Sequence, residues 1–289
     1  MRNRTIVLVL GILIALGAAA ASIAGIFTHG GSGPETIRSF RGYDVELYGY
    51  GLYRHMSSDV AIQGIAQDYV TLFLCVPLLI LSLIKTRRYS LRWHFVLAGV
   101  LHYFLLTYLF YLGMAMYNEA FLLYVFLLSA SFFAFALVIA GFDVQKLPER
   151  FSSKVPRKVA GSFLIFIPAS MAFLWLSVVV PPLLSGTIIP AETAHYTTLI
   201  VQGFDLAIFL PLGFVSGLLL LQNRPWGYLM ASITLLFLPL LMTALVAKII
   251  AMGMHGVNII PVVFIIPVFD ALALTFGLGM LRTVTPENP

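Results

Sequence analysis

Charge is scarce in this chain, and cysteine is scarcer. Asp, Glu, Lys and Arg make up only 10% of the 289 residues, against roughly a quarter in a soluble globular domain. The lone thiol, Cys75, excludes an intrachain disulfide and a multi-thiolate metal centre, and its place in an apolar run marks it as packing. Also missing are a phosphate-cradling glycine loop ending in Lys-Ser or Lys-Thr, a His-Glu-x-x-His pair and a Cys-x-x-Cys-His haem attachment. Of the histidines, His94 and His102 fall inside apolar runs, eight residues apart on one helix. That spacing is about 12 Å along the axis, too far to share one metal. A haem between His102 and a loop histidine is the one arrangement left open, and no cofactor is expected.

Long apolar runs are what the chain has in abundance, with 60% hydrophobic residues and a mean hydropathy of +0.98. A bilayer core takes about 20 apolar residues per helix. In that unit the sequence predicts an all-α, polytopic membrane bundle of eight helices. Their expected spans are Thr5 to Phe27, Ile62 to Ile84, Trp93 to Ala115, Ala120 to Phe142, Ala160 to Leu183, Thr197 to Leu221, Tyr228 to Ile250 and Asn258 to Leu281. The basic start and the small residues Ala18 to Ser22 also resemble a cleavable signal, but the apolar stretch exceeds the 7 to 15 residues typical of a signal core. An uncleaved first helix is therefore expected.

Lys and Arg favour short cytoplasmic loops. With the amino terminus inside, the cytoplasmic segments hold Arg2, Arg4, Lys85, Arg87, Arg88, Arg92, Lys146, Arg150, Lys154, Arg157, Lys158, Arg224 and Arg282, and the outer ones only Arg38, Arg41 and Arg54. Both termini are expected in the cytoplasm of a plasma membrane. The net charge of +5 is thus a topology signal, and nucleic-acid binding is not expected.

A single membrane domain over 1–289 is expected, with an outer loop at 28–61 and a basic, proline-containing loop from Asp143 to Lys158 near the middle. The tyrosine-rich loop should lie on the membrane surface. The central loop divides the chain into halves 1–150 and 151–289 of four helices each. Helix two carries Gln63, Gly64, Gln67 and Asp68; helix six carries Gln202, Gly203 and Asp205 in the same place of its half. Asp68 to Lys85 and Asp205 to Gln222 are equally spaced. The match suggests two parallel repeats about an axis along the membrane normal.

An intramembrane carboxylate is costly and is a functional candidate by default. Gly64, Asp68, Thr71 and Cys75 share one helical stripe; Thr198, Gln202 and Asp205 share another; Tyr103, Thr107 and Tyr111 form a third beside His102. Lys248 lies on helix seven, and Asn258 and Asp270 on helix eight. Most of these fall in the outer half, so one outward-opening cavity is expected. In it Asp68, Asp205 and Asp270 carry ions or protons, Lys248 partners them or binds an anion, Gln63, Gln67 and Gln202 orient a ligand, and His102 is a further candidate for substrate or proton binding. Pro261 and Pro267 ahead of Asp270 make helix eight the best candidate for a broken helix at a site, with ordinary kinking the favoured expectation.

The leading expectation is a small-solute or proton-linked transporter or permease. An enzyme acting on a lipid-like substrate at the outer leaflet, using carboxylates and the loop residues His55 and Asp59, is the second. A scaffold or sensor subunit with a membrane-protein partner is the third. The remaining partners expected are the bilayer and an unknown solute or proton.

Overall fold

The structure is a computed structural model and describes residues 3–86 and 90–285. Arg2, Arg87 and Arg88, which contribute to the basic bias, lie outside the described residues. Among the described residues eight helices are long and apolar enough to cross a membrane: α1 (Arg4–Phe27), α2 (Ser58–Thr86), α3 (Leu91–Met114), α4 (Phe121–Ile139), α5 (Arg157–Ser185), α6 (Ile200–Leu221), α7 (Pro225–Met254) and α8 (Val262–Thr283). The chain is a multi-pass membrane protein with an all-α transmembrane bundle. Each helix grows from an apolar run, because a backbone in hydrocarbon must satisfy its own hydrogen bonds.

α3 is the hub. Its apolar stretch is 72% buried, whereas that of α8 is 11% buried, so α8 is a peripheral helix that packs on α7. α1 to α4 close into a ring in which α1 touches both α2 and α4. The small residues Gly11, Ala18 and Gly25 let α1 come close; a methyl group at Gly11 would meet Leu83 of α2. α5 to α8 form the second group, and α7 packs on both α2 and α3 to join the two. At the α3–α7 crossing Gly99 lies against Leu236 so closely that a Cβ there would stand 2.8 Å from the Leu236 Cβ.

The region between α1 and α2 is more ordered than a surface loop. It holds an antiparallel hairpin of β1 (Glu35–Arg38) and β2 (Asp44–Leu47), then a short 3-10 turn at Gly51–Tyr53. The hairpin is tied to the link between α5 and α6. The Arg41 guanidinium donates to the carbonyls of Tyr196 (2.6 Å), Ala194 (3.2 Å) and Thr197 (3.2 Å), and the Tyr196 hydroxyl accepts from the Ser57 amide at 3.1 Å. Arg54 pairs with Glu119 between α3 and α4. At the opposite end a second clasp joins three elements. Arg92 donates to the Val284 carbonyl at 2.7 Å, the Ser152 amide to Thr283 at 2.8 Å and the Thr285 amide to Arg150 at 2.9 Å.

α8 contains Pro267 without a break, and Pro261 stands at its amino-terminal boundary. Asn258 precedes the helix and accepts from the Ile260 amide, so it is a turn residue and not part of the span. The irregular helices are α2 and α6. Thr71–Cys75 and Asp205–Phe209 each form a π turn, with Val76 N–H bonded to the Thr71 carbonyl and Leu210 N–H to that of Asp205. Each turn starts six residues before a proline, Pro77 or Pro211. Proline lacks the N–H that an α-helix needs there and its ring crowds the preceding turn. Widening that turn accommodates the ring, and the extra residue rotates the helix before the turn by about 100° relative to the helix after it. On this landmark Asp205 corresponds to Thr71, not to Asp68. The two aspartates consequently meet different surroundings.

Candidate functional site

The polar stripes of α2 and α3 meet face to face. Asp68 accepts from the Tyr111 hydroxyl at 3.1 Å, Gln67 donates to Thr107 at 3.0 Å, and Thr71 bonds Tyr103 at 2.8 Å. Spacings of four along α3 put Tyr103, Thr107 and Tyr111 on one face, and on α2 Thr71 lies three and four residues from the adjacent pair Asp68 and Gln67. Tyr111 also donates to the Gly64 carbonyl at 3.1 Å. A second phenol reaches Asp68 from outside the span: Tyr53, in the 3-10 turn, donates to it at 2.6 Å. Burial, reinforced by the Asp68 carboxylate, pushes the Tyr53 phenol well above its ordinary range, so it remains a donor. Asp68 is 2% exposed and sealed between α1, Tyr53 and Tyr111.

On the far side of Tyr53 and Tyr111 is a cavity of about 400 Å³ between α2, α3, α5, α6 and α7. This size falls within the range of small-molecule sites. Its wall at the hairpin end includes Asp59, Gln63, Glu192 and Tyr196, and its interior includes Trp175, Gln202, Asp205 and Lys248. Asp205 accepts from the Trp175 indole N–H through Oδ2 at 2.8 Å, leaving Oδ1 without a hydrogen-bond partner among the described residues. Lys248 interacts electrostatically with both Asp68 and Asp205, yet forms no ion pair within 4.0 Å among the described residues. His102 also lines the cavity. It stacks on Phe237 with ring centroids 4.2 Å apart, is 4% exposed, and its buried Nδ1 has no hydrogen-bond partner among the described residues.

The expected residues therefore divide into three groups. Asp205, Lys248, Gln63, Gln67, Gln202 and His102 line one cavity. Asp68 lies behind its tyrosine wall. Asp270 does not line the cavity: it sits on α8, half-buried, and accepts from Thr243 of α7 at 3.1 Å. Asp270 faces Thr243 and not the cavity, because the position of a residue along a helix says nothing about which neighbour it faces.

Sequence reasoning missed Trp175, Glu192, Tyr53 and Tyr196 as wall residues, while Tyr111 was on an expected stripe. Trp175 left one signal: tryptophan prefers the membrane interface, and this one lies inside a long apolar run. Tyr53 and Tyr196 reach the site from links between helices, which span counting cannot anticipate.

Among the described residues no three His, Cys, Asp or Glu side chains gather as a metal-ligand set. No family model matches the chain, and no curated protein or solved structure matches it either.

Proposed function

We propose that this chain is a small-solute or proton-linked transporter of the plasma membrane, with both termini in the cytoplasm and the cavity facing outward. The observation that carries the reading is a ligand-sized cavity in the membrane-spanning bundle that contains Asp205 and Lys248 without a closed pair between them. Opposite charges serving only helix packing would be expected to close on each other, since separated buried charges are costly. In this reading Asp205 and Lys248 meet the solute, Gln63 and Gln202 orient it, and Asp68 is the protected proton carrier behind Tyr53 and Tyr111.

The two clasps fit alternating access. The hairpin and the α5–α6 link form the outer cover, and the Arg92, Thr283 and Val284 contacts form the closed inner end. An enzyme would place two titratable groups on one reacting atom, an arrangement that the single contact of Asp205 with Trp175 does not favour. A scaffold would need no such cavity.

The test is counterflow into proteoliposomes with a labelled panel of amines, amino acids and short carboxylates, comparing wild type with Asp205→Asn. Uptake of one class by wild type and its loss in the variant is expected. Failure of wild type to move any class faster than protein-free liposomes overturns the transport reading.

A further inference from the structure

The charges around the cavity do not balance. Among the described residues Asp59, Glu192 and Asp205 line it against one base, Lys248. Two bases of the α1–α2 link are committed elsewhere, Arg41 to three backbone carbonyls and Arg54 to Glu119, and neither lines the cavity. Deeper in, Lys248 is shared between Asp205 and the sealed Asp68.

Beside the donors Lys248 and Gln202, the cavity holds polar atoms that are acceptors or able to accept. Asp205 Oδ1 has no partner among the described residues, and the His102 ring, more than nine-tenths buried with Nδ1 unpaired, forms part of the same wall. Phe209, one turn along α6 from Asp205, stands 6.2 Å from the His102 ring, so the imidazole and the carboxylate flank one region. Much of the remaining wall is aromatic and aliphatic. Phe110, Phe237, Trp175 and Met171 supply π faces and polarizable surface, which suit an apolar body and a cationic head.

We infer that the cavity takes an amphipathic organic ammonium ion, with its N–H groups directed to Asp205 Oδ1 and its apolar body against Phe237 and Trp175. The inference rests on the reading of this cavity as a ligand site. It goes further by fixing the ligand's charge: the three carboxylates lining the cavity outnumber its one base, so a cation is favoured over a zwitterion and a zwitterion over an anion. Asp59 and Glu192 at the hairpin end add an attractive field for the same sign. Lys248 then acts as a competitor for Asp205, not as an anion receptor.

The experiment is calorimetric titration of the full chain in detergent with three probes that share a phenyl-alkyl body: 2-phenylethylammonium, phenylalanine and 3-phenylpropionate. The ammonium should bind roughly tenfold more tightly than either of the others, the scale of one charge-assisted contact. Asp205→Asn should weaken it by about tenfold. Lys248→Gln should tighten it, a gain that misfolding cannot imitate. Preference for phenylalanine or phenylpropionate, no binding of any probe, or weaker ammonium binding in Lys248→Gln each overturns the inference. The transport reading fails separately: ammonium binding without movement of any solute in proteoliposomes removes transport and leaves the ligand class intact. Uptake of amino acids or carboxylates lost in Asp205→Asn does the reverse.

Discussion

Removing one oxygen from Tyr53 tests whether the hairpin is fastened to the membrane bundle through Asp68. Tyr53→Phe keeps the ring, which is 2% exposed and packs edge-on against Tyr111 at 6.3 Å, so no cavity forms. What is lost is a 2.6 Å hydrogen bond to a buried carboxyl group. In soluble proteins a bond to a charged group contributes about 1.5–3 kcal/mol. Between transmembrane helices the average is nearer to about 0.6 kcal/mol, because a chain unfolded within the bilayer finds other partners. Tyr53 belongs to the extramembrane link, so its unfolded reference is water, while Asp68 retains Tyr111 at 3.1 Å. A loss of about 1.5 kcal/mol is therefore expected, close to tenfold in the unfolding equilibrium. The assay is denaturant titration in mixed micelles, in a double-mutant cycle with Asp68→Asn. A Tyr53→Phe effect below about 0.3 kcal/mol, or strict additivity with Asp68→Asn, refutes the fastening.

Three other contacts have measurable consequences. Gly25→Ala places a methyl group against the Asp68 carboxylate and the Tyr53 hydroxyl, and should lower stability by about 2 kcal/mol, as overpacking of a filled core does; an unchanged unfolding midpoint would contradict the packing. Arg41→Ala deletes three bonds to the α5–α6 link, and faster hydrogen exchange at 191–197 is the expected readout. The hydrogen bond from Arg54 holds Glu119 below its ordinary carboxylate range. A lowered folded value means that the pair's contribution is complete above the ordinary range and is lost as pH falls through the folded value. Acid should accordingly loosen this attachment in wild type and have no such effect through residue 119 in Glu119→Gln, as read by hydrogen exchange at 51–57.

The eight spans were legible because hydrophobic length is a strong constraint; α1 begins one residue and α8 four residues from the expected starts. The stripes Asp68–Thr71 and Tyr103–Thr107–Tyr111 were also legible as faces, and the structure sets one against the other. Which carboxylate meets open space was not. Gln-Gly-Asp in α2 and α6 looks alike in one dimension, but the π turns start at different distances from the two aspartates and rotate them differently. Asp68 is then covered by Tyr53, whereas Asp205 meets Trp175 and the cavity. The hairpin escaped notice because its strands have four residues each and follow no clear alternation.

Accessibility of Gln202 from each side of the membrane tests the central claim most directly. The buried Cys75 is first replaced by Ala, and Gln202→Cys then supplies one thiol in the cavity wall. In oriented membrane vesicles, a membrane-impermeant maleimide added on the hairpin side should label it, and the same reagent on the side of the Arg92 clasp should not. Labelling from neither side, or only from the clasp side, would contradict an outward-opening solute cavity.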